Sequence, residues 1–240
     1  MKRTAWLALT ALVLAGAFSC GKAKKEVKWE FREITGSEYA RAGDEVDIRY
    51  PVVAEGESAE AINRRIESRF SSFFNDSDAS VREAVDAQLR ERNSDSMTLH
   101  IPYELTVDGE VYRYGKTASA VLYAYQYTGG AHGLPETIAL VFDTADGKPL
   151  GWKELFTDTV QLQKINREVF RDIHRDEPDF TASLFVAPEN LPLPENAALD
   201  SAGLNVFYNV YEIAPYSTGG TEYRIPIEKI EGILNRRSID

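Results

Sequence analysis

Thr117-Ala118-Ser119-Ala120-Val121-Leu122-Tyr123-Ala124-Tyr125-Gln126-Tyr127 runs without a single charged residue. Its alternation puts Val121, Tyr123, Tyr125 and Tyr127 on one face of a strand and Ala118, Ala120, Leu122 and Ala124 on the other. Both faces are largely apolar, so the strand is expected inside a sheet that is covered on both sides. Upstream, Leu99, Ile101, Tyr103, Leu105 and Val107 alternate with polar positions, and Asp108-Gly109 supplies a turn signal before Glu110 to Tyr114, which predicts a hairpin. Downstream, Glu136 to Thr144 is a further strand, closed by Asp146-Gly147.

Outside this β-rich middle the period changes. Val27 to Ile34 and Val46 to Val53 are expected strands separated by Ala42-Gly43-Asp44. From Ala59, Ile62, Ile66, Phe70 and Phe73/Phe74 recur at helical spacing. A polar break at Asn75 to Asp78 precedes Ser80-Val81-Arg82-Glu83, a capping-box pattern that predicts a second helix from Val81 to about Arg92. Past Trp152 to Phe156, Val160, Ile165, Val169, Phe170 and Ile173 mark a helix to His174, with Pro178 as its stop. The proline-bearing segment 177–202 is expected as a surface excursion with one short strand near Leu184-Phe185-Val186. Leu204 to Ile213 and Tyr223 to Ile227 then predict strands, and Ile227 to Leu234 a closing helix. Strands grouped in the middle favour α+β over a doubly wound sheet: a central, largely antiparallel sheet flanked by helices, with a smaller N-terminal α+β subdomain.

Composition narrows the chemistry. Of 240 residues, 27 are Lys or Arg and 38 Asp or Glu, which makes a nucleic-acid partner unexpected, since phosphate binding needs a basic surplus. One Cys excludes an internal disulfide and a cysteine zinc cluster, and three scattered His offer little for a histidine metal centre. No cofactor or metal is expected. A nucleophile elbow, a phosphate-binding glycine loop and a paired-His zinc helix are all missing from the sequence.

The N-terminus carries an address. Met1-Lys2-Arg3 is a short positive start, Ala5 to Phe18 is uncharged, and small residues crowd its end before Cys20. This layout resembles the lipobox of bacterial lipoproteins, with Ala17 where Leu is usual. It implies a signal peptide over 1–19 and an acylated Cys20 that anchors the chain in the lipid bilayer; a plainly cleaved signal or a retained anchor is the alternative. Loss of 1–19 removes only Lys2 and Arg3, which leaves 25 basic against 38 acidic groups, a charge of −13. Lys22, Lys24, Lys25 and Lys28 form a short basic tether over 20–28, suited to anionic headgroups or simply to a soluble linker.

His132 stands in Gly129-Gly130-Ala131-His132-Gly133, where glycines let backbone approach a ligand and expose an imidazole; the same glycines also serve a plain turn. His100 reads as a solvent-face residue and His174 as a helix C-terminal partner of the dipole. Two glycine turns resemble one another, Tyr127-Thr128-Gly129-Gly130 and Tyr216-Ser217-Thr218-Gly219-Gly220. The tyrosines Tyr123, Tyr125 and Tyr127, with Tyr103, Tyr112 and Tyr114 nearby in sequence, suit sugar stacking, protein contact or core packing. The ligand-binding candidates are therefore Tyr125, Tyr127, Thr128, Gly129, Gly130, His132, Tyr216, Gly219 and Gly220.

Tyr125-Gln126-Tyr127-Thr128-Gly129-Gly130-Ala131-His132-Gly133, then Val141-Phe142-Asp143, Asp146-Gly147-Lys148 and Leu155-Phe156, resemble one extracytoplasmic bacterial domain family. Its members include the outer region of the anti-sigma factor RsiV and the non-catalytic N-terminal region of the peptidoglycan deacetylase PdaC. Tyr211-Glu212-Ile213-Ala214-Pro215-Tyr216, Gly219-Gly220 and Ile225-Pro226 match its closing motif, while Ile48-Arg49-Tyr50-Pro51 and Ala61-Ile62-Asn63 resemble its N-terminal part. The resemblance covers roughly residues 27 to 235. It implies a PdaC-like subdomain over 29–95, an RsiV-like domain over 96–240 and a place in the cell envelope. For RsiV it further implies recognition of lysozyme. Only three residues precede the apolar run and the sequence stops at Asp240, so neither an anti-sigma role nor a deacetylase catalytic domain is expected. The expectation is a non-catalytic binding domain for a cationic lysozyme-like protein, alternatively for peptidoglycan or another cell-wall glycan, ahead of an envelope hydrolase centred on His132.

Overall fold

The computed structural model describes residues 27–70, 73–74, 80–94 and 100–239. The signal segment, Cys20, most of the tether, the break at Asn75 to Asp78 and Leu99 lie outside the described residues. Strands β1 (Lys28–Thr35), β2 (Glu45–Glu55), β3 (Glu104–Tyr114), β4 (Thr117–Tyr127) and β5 (Leu134–Asp143) form one sheet in sequence order. Every neighbouring pair is antiparallel except β2 and β3, which run parallel because α1 (Ala59–Phe70) and α2 (Val81–Arg92) carry the chain across one face between them. Ile62, Ile66 and Phe70 of α1 and Val81, Ala84, Val85 and Leu89 of α2 are buried against that face. They join Ile48, Leu105, Ala120 and Leu122 in an apolar cluster that runs from Val27 to Phe142. The capping box forms: the Glu83 backbone N–H donates to Ser80 Oγ at 3.3 Å and the Ser80 N–H to Glu83 Oε2 at 3.0 Å.

The rest of the chain builds a second layer. After α3 (Trp152–Leu155), α4 (Thr159–Ile173) and α5 (Pro178–Ser183), β6 (Asn196–Asp200), β7 (Gly203–Tyr208) and β8 (Thr221–Pro226) make a three-stranded antiparallel sheet. Ala198 and Phe207 of this sheet pack on Val121, so the second face of β4 is covered as its apolar alternation requires. The amphipathic α4 closes the other side, with Leu162, Ile165, Val169 and Phe170 buried against Leu199, Leu204, Val206 and Ile225. Two short helices, α6 (Ile227–Ile230) and α7 (Arg236–Ile239), complete this second cluster. The fold is thus α+β with a mostly antiparallel main sheet.

Several boundaries differ from the sequence reading. Asp108-Gly109 is not a turn; β3 runs straight through it, and the hairpin closes at Gly115-Lys116 instead. Gly109 answers to a neighbour, since a Cβ there would lie 2.5 Å from Pro51 Cδ on β2. Leu184 to Val186 is not a strand, and Pro178 does not merely stop α4 but starts α5. The strand in that region is β6, which lacks a strong β-forming sequence. It is fixed by tertiary bonds: Leu199 N–H donates to Ser119 Oγ at 3.3 Å and Ala139 N–H to Asn196 Oδ1 at 2.9 Å. The strand expected from Leu204 to Ile213 ends at Tyr208, and the closing helix breaks after Ile230 into a 3-10 turn. The division expected at 95/96 falls inside the first apolar cluster, because β3 to β5 share the core of α1 and α2; the second cluster gathers residues mainly from Leu155 onward.

The outer edge of β5 is covered by side chains. Thr137 donates its N–H to Asn209 Oδ1 at 2.7 Å and accepts from Asn209 Nδ2 at 2.9 Å, so one amide imitates a neighbouring strand. Asn196 and the Leu150 N–H, which donates to Val141 O at 2.8 Å, extend the cover.

Candidate functional site

The loop between β4 and β5 carries the glycine-histidine motif. Gly129 and Gly130 take φ of 106° and 108°, a region closed to most L residues. The turn is pinned from several sides: Tyr127 Oη donates to Gly130 O at 3.1 Å, while Arg92 of α2 donates to Thr128 O and Ile101 O at 3.2 and 3.1 Å. Gly133 is required by contact, because a Cβ there would lie 2.3 Å from Tyr125 Cζ; the Tyr125 ring lies on that backbone.

The second glycine turn meets the first. Tyr216, in a 3-10 turn ahead of β8, donates its hydroxyl to Gly133 O at 2.8 Å. Its ring stacks on His132 with centroids 3.8 Å apart and planes 18° from parallel. His132 Nδ1 lies 3.0 Å from Gly133 O, so the imidazole is oriented by its own loop. Tyr211 continues the row, its ring centroid 5.8 Å from that of Tyr216. Gly219, at φ 80°, ends the turn, and Gly220 passes so near β7 that a Cβ would lie 3.2 Å from Tyr208 O.

The structure therefore brings Tyr125, Tyr127, Gly130, His132 and Tyr216 into one connected cluster, with Thr128 and Gly129 tied to its back and Gly219 and Gly220 shaping its far turn. The tyrosine stripe divides. Tyr123 turns into the layer between the sheets, edge-on to Phe207 with centroids 6.0 Å apart, and its hydroxyl lies 3.1 Å from that of Tyr112. Burial, then Tyr112, push the Tyr123 phenol well above its ordinary pKa. Tyr103 is fully buried and Tyr114 packs on the second cluster, so neither joins the site. His100 is not a plain solvent-face residue: its Nε2 lies 3.1 Å from the buried Asp44 carboxylate. Burial alone would raise Asp44, but the N–H groups of Arg41 and Tyr103, with Asn93 and His100, outweigh it and hold the carboxyl below its usual range. His174 caps α4 and lies 2.8 Å from Glu177 Oε2.

Sequence reasoning missed two surface groups. Tyr211 is 54% exposed and has φ 68°, the one non-glycine residue at positive φ among the described residues. Its turn is held by Glu212, whose carboxylate accepts from the Asn209 and Glu195 N–H groups at 2.9 and 3.0 Å. Leu134, two residues beyond His132, is 47% exposed. Only the position of Tyr211 at the head of the closing motif marked it, and residue type gave no sign of its strained backbone.

A cleft of about 250 Å³ lies at the edges of both sheets and includes Tyr123, Pro135, Glu136, Val210, Gly220 and Glu222 in its walls. Burial raises the Glu136 and Glu222 carboxyls, and the negative charges of Glu195 and Glu110 respectively add to it. A larger cleft of about 490 Å³ lies at the seam of the two clusters, with Trp152, Leu140 and Leu150 in its walls and Arg65, Glu154 and Glu195 among its polar groups. Among the described residues no three His, Cys, Asp or Glu are arranged to hold a metal, and no helix is long and apolar enough to cross a membrane.

Residues 41–135 match the family model described as Deacetylase PdaC, and residues 153–228 the one described as Protein of unknown function (DUF3298). None of the curated proteins matches the chain. Among solved structures, a DUF3298 family member from Bacteroides fragilis is 22% identical at a TM-score of 0.66, and a DUF3298 family protein from Pseudomonas aeruginosa is 17% identical at 0.65. Each comparison covers 88% of this chain and 96% of the other, and shows a common fold.

Proposed function

Since the chain carries a PdaC domain followed by a DUF3298 domain, we propose that it is a lipid-anchored protein of the cell envelope whose domain binds a ligand through the row His132, Tyr216 and Tyr211. The observation that carries this reading is the row itself. Three rings stand side by side at the surface, locked by loop hydrogen bonds, with the exposed Leu134 two residues on from His132. Rigid aromatic groups give large contact area at little entropic cost, the property of a binding surface. The preferred ligand is a cationic, lysozyme-like protein, because a body of charge −13 speeds encounter with it and makes the association weaken with salt.

Calorimetric titration with lysozyme at low and moderate ionic strength tests this. Binding that weakens with salt and is reduced at least tenfold in Tyr216→Ala supports it; no heat in either condition removes that ligand. A glycan is the second reading, favoured by the flat ring faces, which suit sugar stacking. Retention on purified cell wall that disappears in a Tyr125→Ala/Tyr127→Ala variant of unchanged fold would favour it. An enzyme centred on His132 requires an activity that His132→Ala abolishes.

A further inference from the structure

The outward face of α4 is positive on an otherwise acidic body. Val160, Lys164, Arg167 and Arg171 recur every three to four residues and so form one stripe, opposite the buried Leu162, Ile165 and Val169, with Arg175 just past the helix end. Val160 is 78% exposed, and Lys164, Arg171 and Arg175 are exposed too. Arg175 pairs with Asp172 at 2.7 Å, but among the described residues no ion pair takes up Lys164, Arg167 or Arg171. The two guanidinium groups are steadied through Nε, Arg167 donating to Leu191 O at 2.9 Å and Arg171 to Arg167 O at 3.3 Å. That leaves their terminal nitrogens for a ligand. A depression of about 380 Å³ is lined by Val160, Lys164, Arg167 and Arg171 together with two carboxylates, Glu168, one turn from Lys164 and Arg171 on the same helix, and Glu189. Fixed guanidinium forks are matched to phosphate oxygens.

We propose that this stripe is a docking surface for the anionic phosphate headgroups of the bilayer, which sets the orientation of the tethered body. The proposal rests on the anchor reading, under which Cys20 lies eight residues before β1, a span of at most ~30 Å. A body of charge −13 held that near an anionic surface is repelled through most orientations, so a face with clustered cations is the one that can settle. The exposed Val160 gives the same face an apolar contact at the headgroup level.

The test uses the acylated chain in vesicles. Val160→Cys adds a thiol beside the acylated Cys20, the natural chain's sole cysteine, and carries a fluorophore quenched by headgroup spin labels. Quenching should be strong in phosphatidylglycerol-containing vesicles, weak in pure phosphatidylcholine and reversed by salt. Lys164→Gln/Arg171→Gln should weaken docking about 25-fold, at roughly fivefold for each charge removed, while Arg65→Gln on α1 changes nothing. Equal quenching in both lipids, or quenching unchanged in the double variant, overturns the proposal. The mass of the native N-terminus decides the anchor separately, and an unacylated chain is read with the same probe by adding vesicles from outside. Failure to bind lysozyme leaves this result untouched.

Discussion

The two cores of the molecule are built on different terms. The first, under α1 and α2, is mainly hydrocarbon: Ile48, Ile62, Ile66, Leu89, Leu105 and Leu122 are fully buried together, alongside Tyr103, whose hydroxyl donates to Gln88 Oε1 and accepts from Gln126 Nε2, each at 3.2 Å. The second has a polar group at its centre. Asn166 of α4, fully buried, donates to Tyr208 Oη at 2.8 Å and accepts from Tyr223 Oη at 2.6 Å, while Tyr208 donates to Pro192 O at 2.6 Å. Burial pushes the Tyr208 phenol up to about 12 and Tyr223 higher still, so both remain donors at any ordinary pH. A hydrocarbon core asks only for volume and pattern. A polar one asks for particular partners and ties α4, β7, β8 and the 192 loop into a single arrangement.

That contrast can be broken most forcefully in the first core. Leu122→Ala should cost about 2–5 kcal/mol through lost transfer energy and the cavity left behind, read as a lower urea midpoint. In the second core, Asn166→Leu keeps the volume but strands the Tyr223 hydroxyl, and should cost about 1–3 kcal/mol. If it proves neutral, the network adds nothing to stability and the two cores do not differ in kind. At the surface, Tyr211→Gly should stabilise by about 1 kcal/mol, since glycine adopts φ 68° without strain. The same change should weaken ligand binding by removing a ring from the row. A variant that is both more stable and still fully binding would detach Tyr211 from the site.

The smallest effect concerns pH. The folded carboxyls of Glu136, Glu212 and Glu222 sit above their ordinary value, chiefly through burial. The folded state therefore holds their protons more tightly than the unfolded state, and stability should rise as pH falls from neutral toward the ordinary glutamate range. Asp44, in the loop that leads into β2, is held low; its contribution is present above the ordinary aspartate range and is lost as pH falls through its folded value. Thermal melts of Glu222→Gln against the parent between neutral and mildly acid pH should show a shallower rise.

The same contrast explains what could be read from the residues. α1, α2 and β4 were legible because each carries its own period, 3.6 or 2, and a hydrocarbon core needs nothing else. The capping box at Ser80 and Glu83 was legible because it is local. β6 was not, because Asn196-Ala197-Ala198-Leu199-Asp200 becomes a strand through bonds to Ser119 and Ala139, far away in sequence. Gly109 misled for the same reason, its role being set by Pro51 on the adjacent strand. The glycine turns of the site were visible as composition, and their meeting through His132 and Tyr216 was a matter of tertiary placement.

The amide of Asn209 that stands in for a neighbouring strand has a consequence beyond the monomer. An uncovered strand margin invites another copy to add on, a hazard that grows with local concentration. With β5 shielded, the main sheet keeps one open margin among the described residues, β1, where Lys28, Glu30, Arg32 and Glu33 supply charges that discourage stacking. Guarding against fibres is thus assigned to the side-chain amides of Asn209 and Asn196, with the Leu150 N–H, at one end and to a charged fringe at the other.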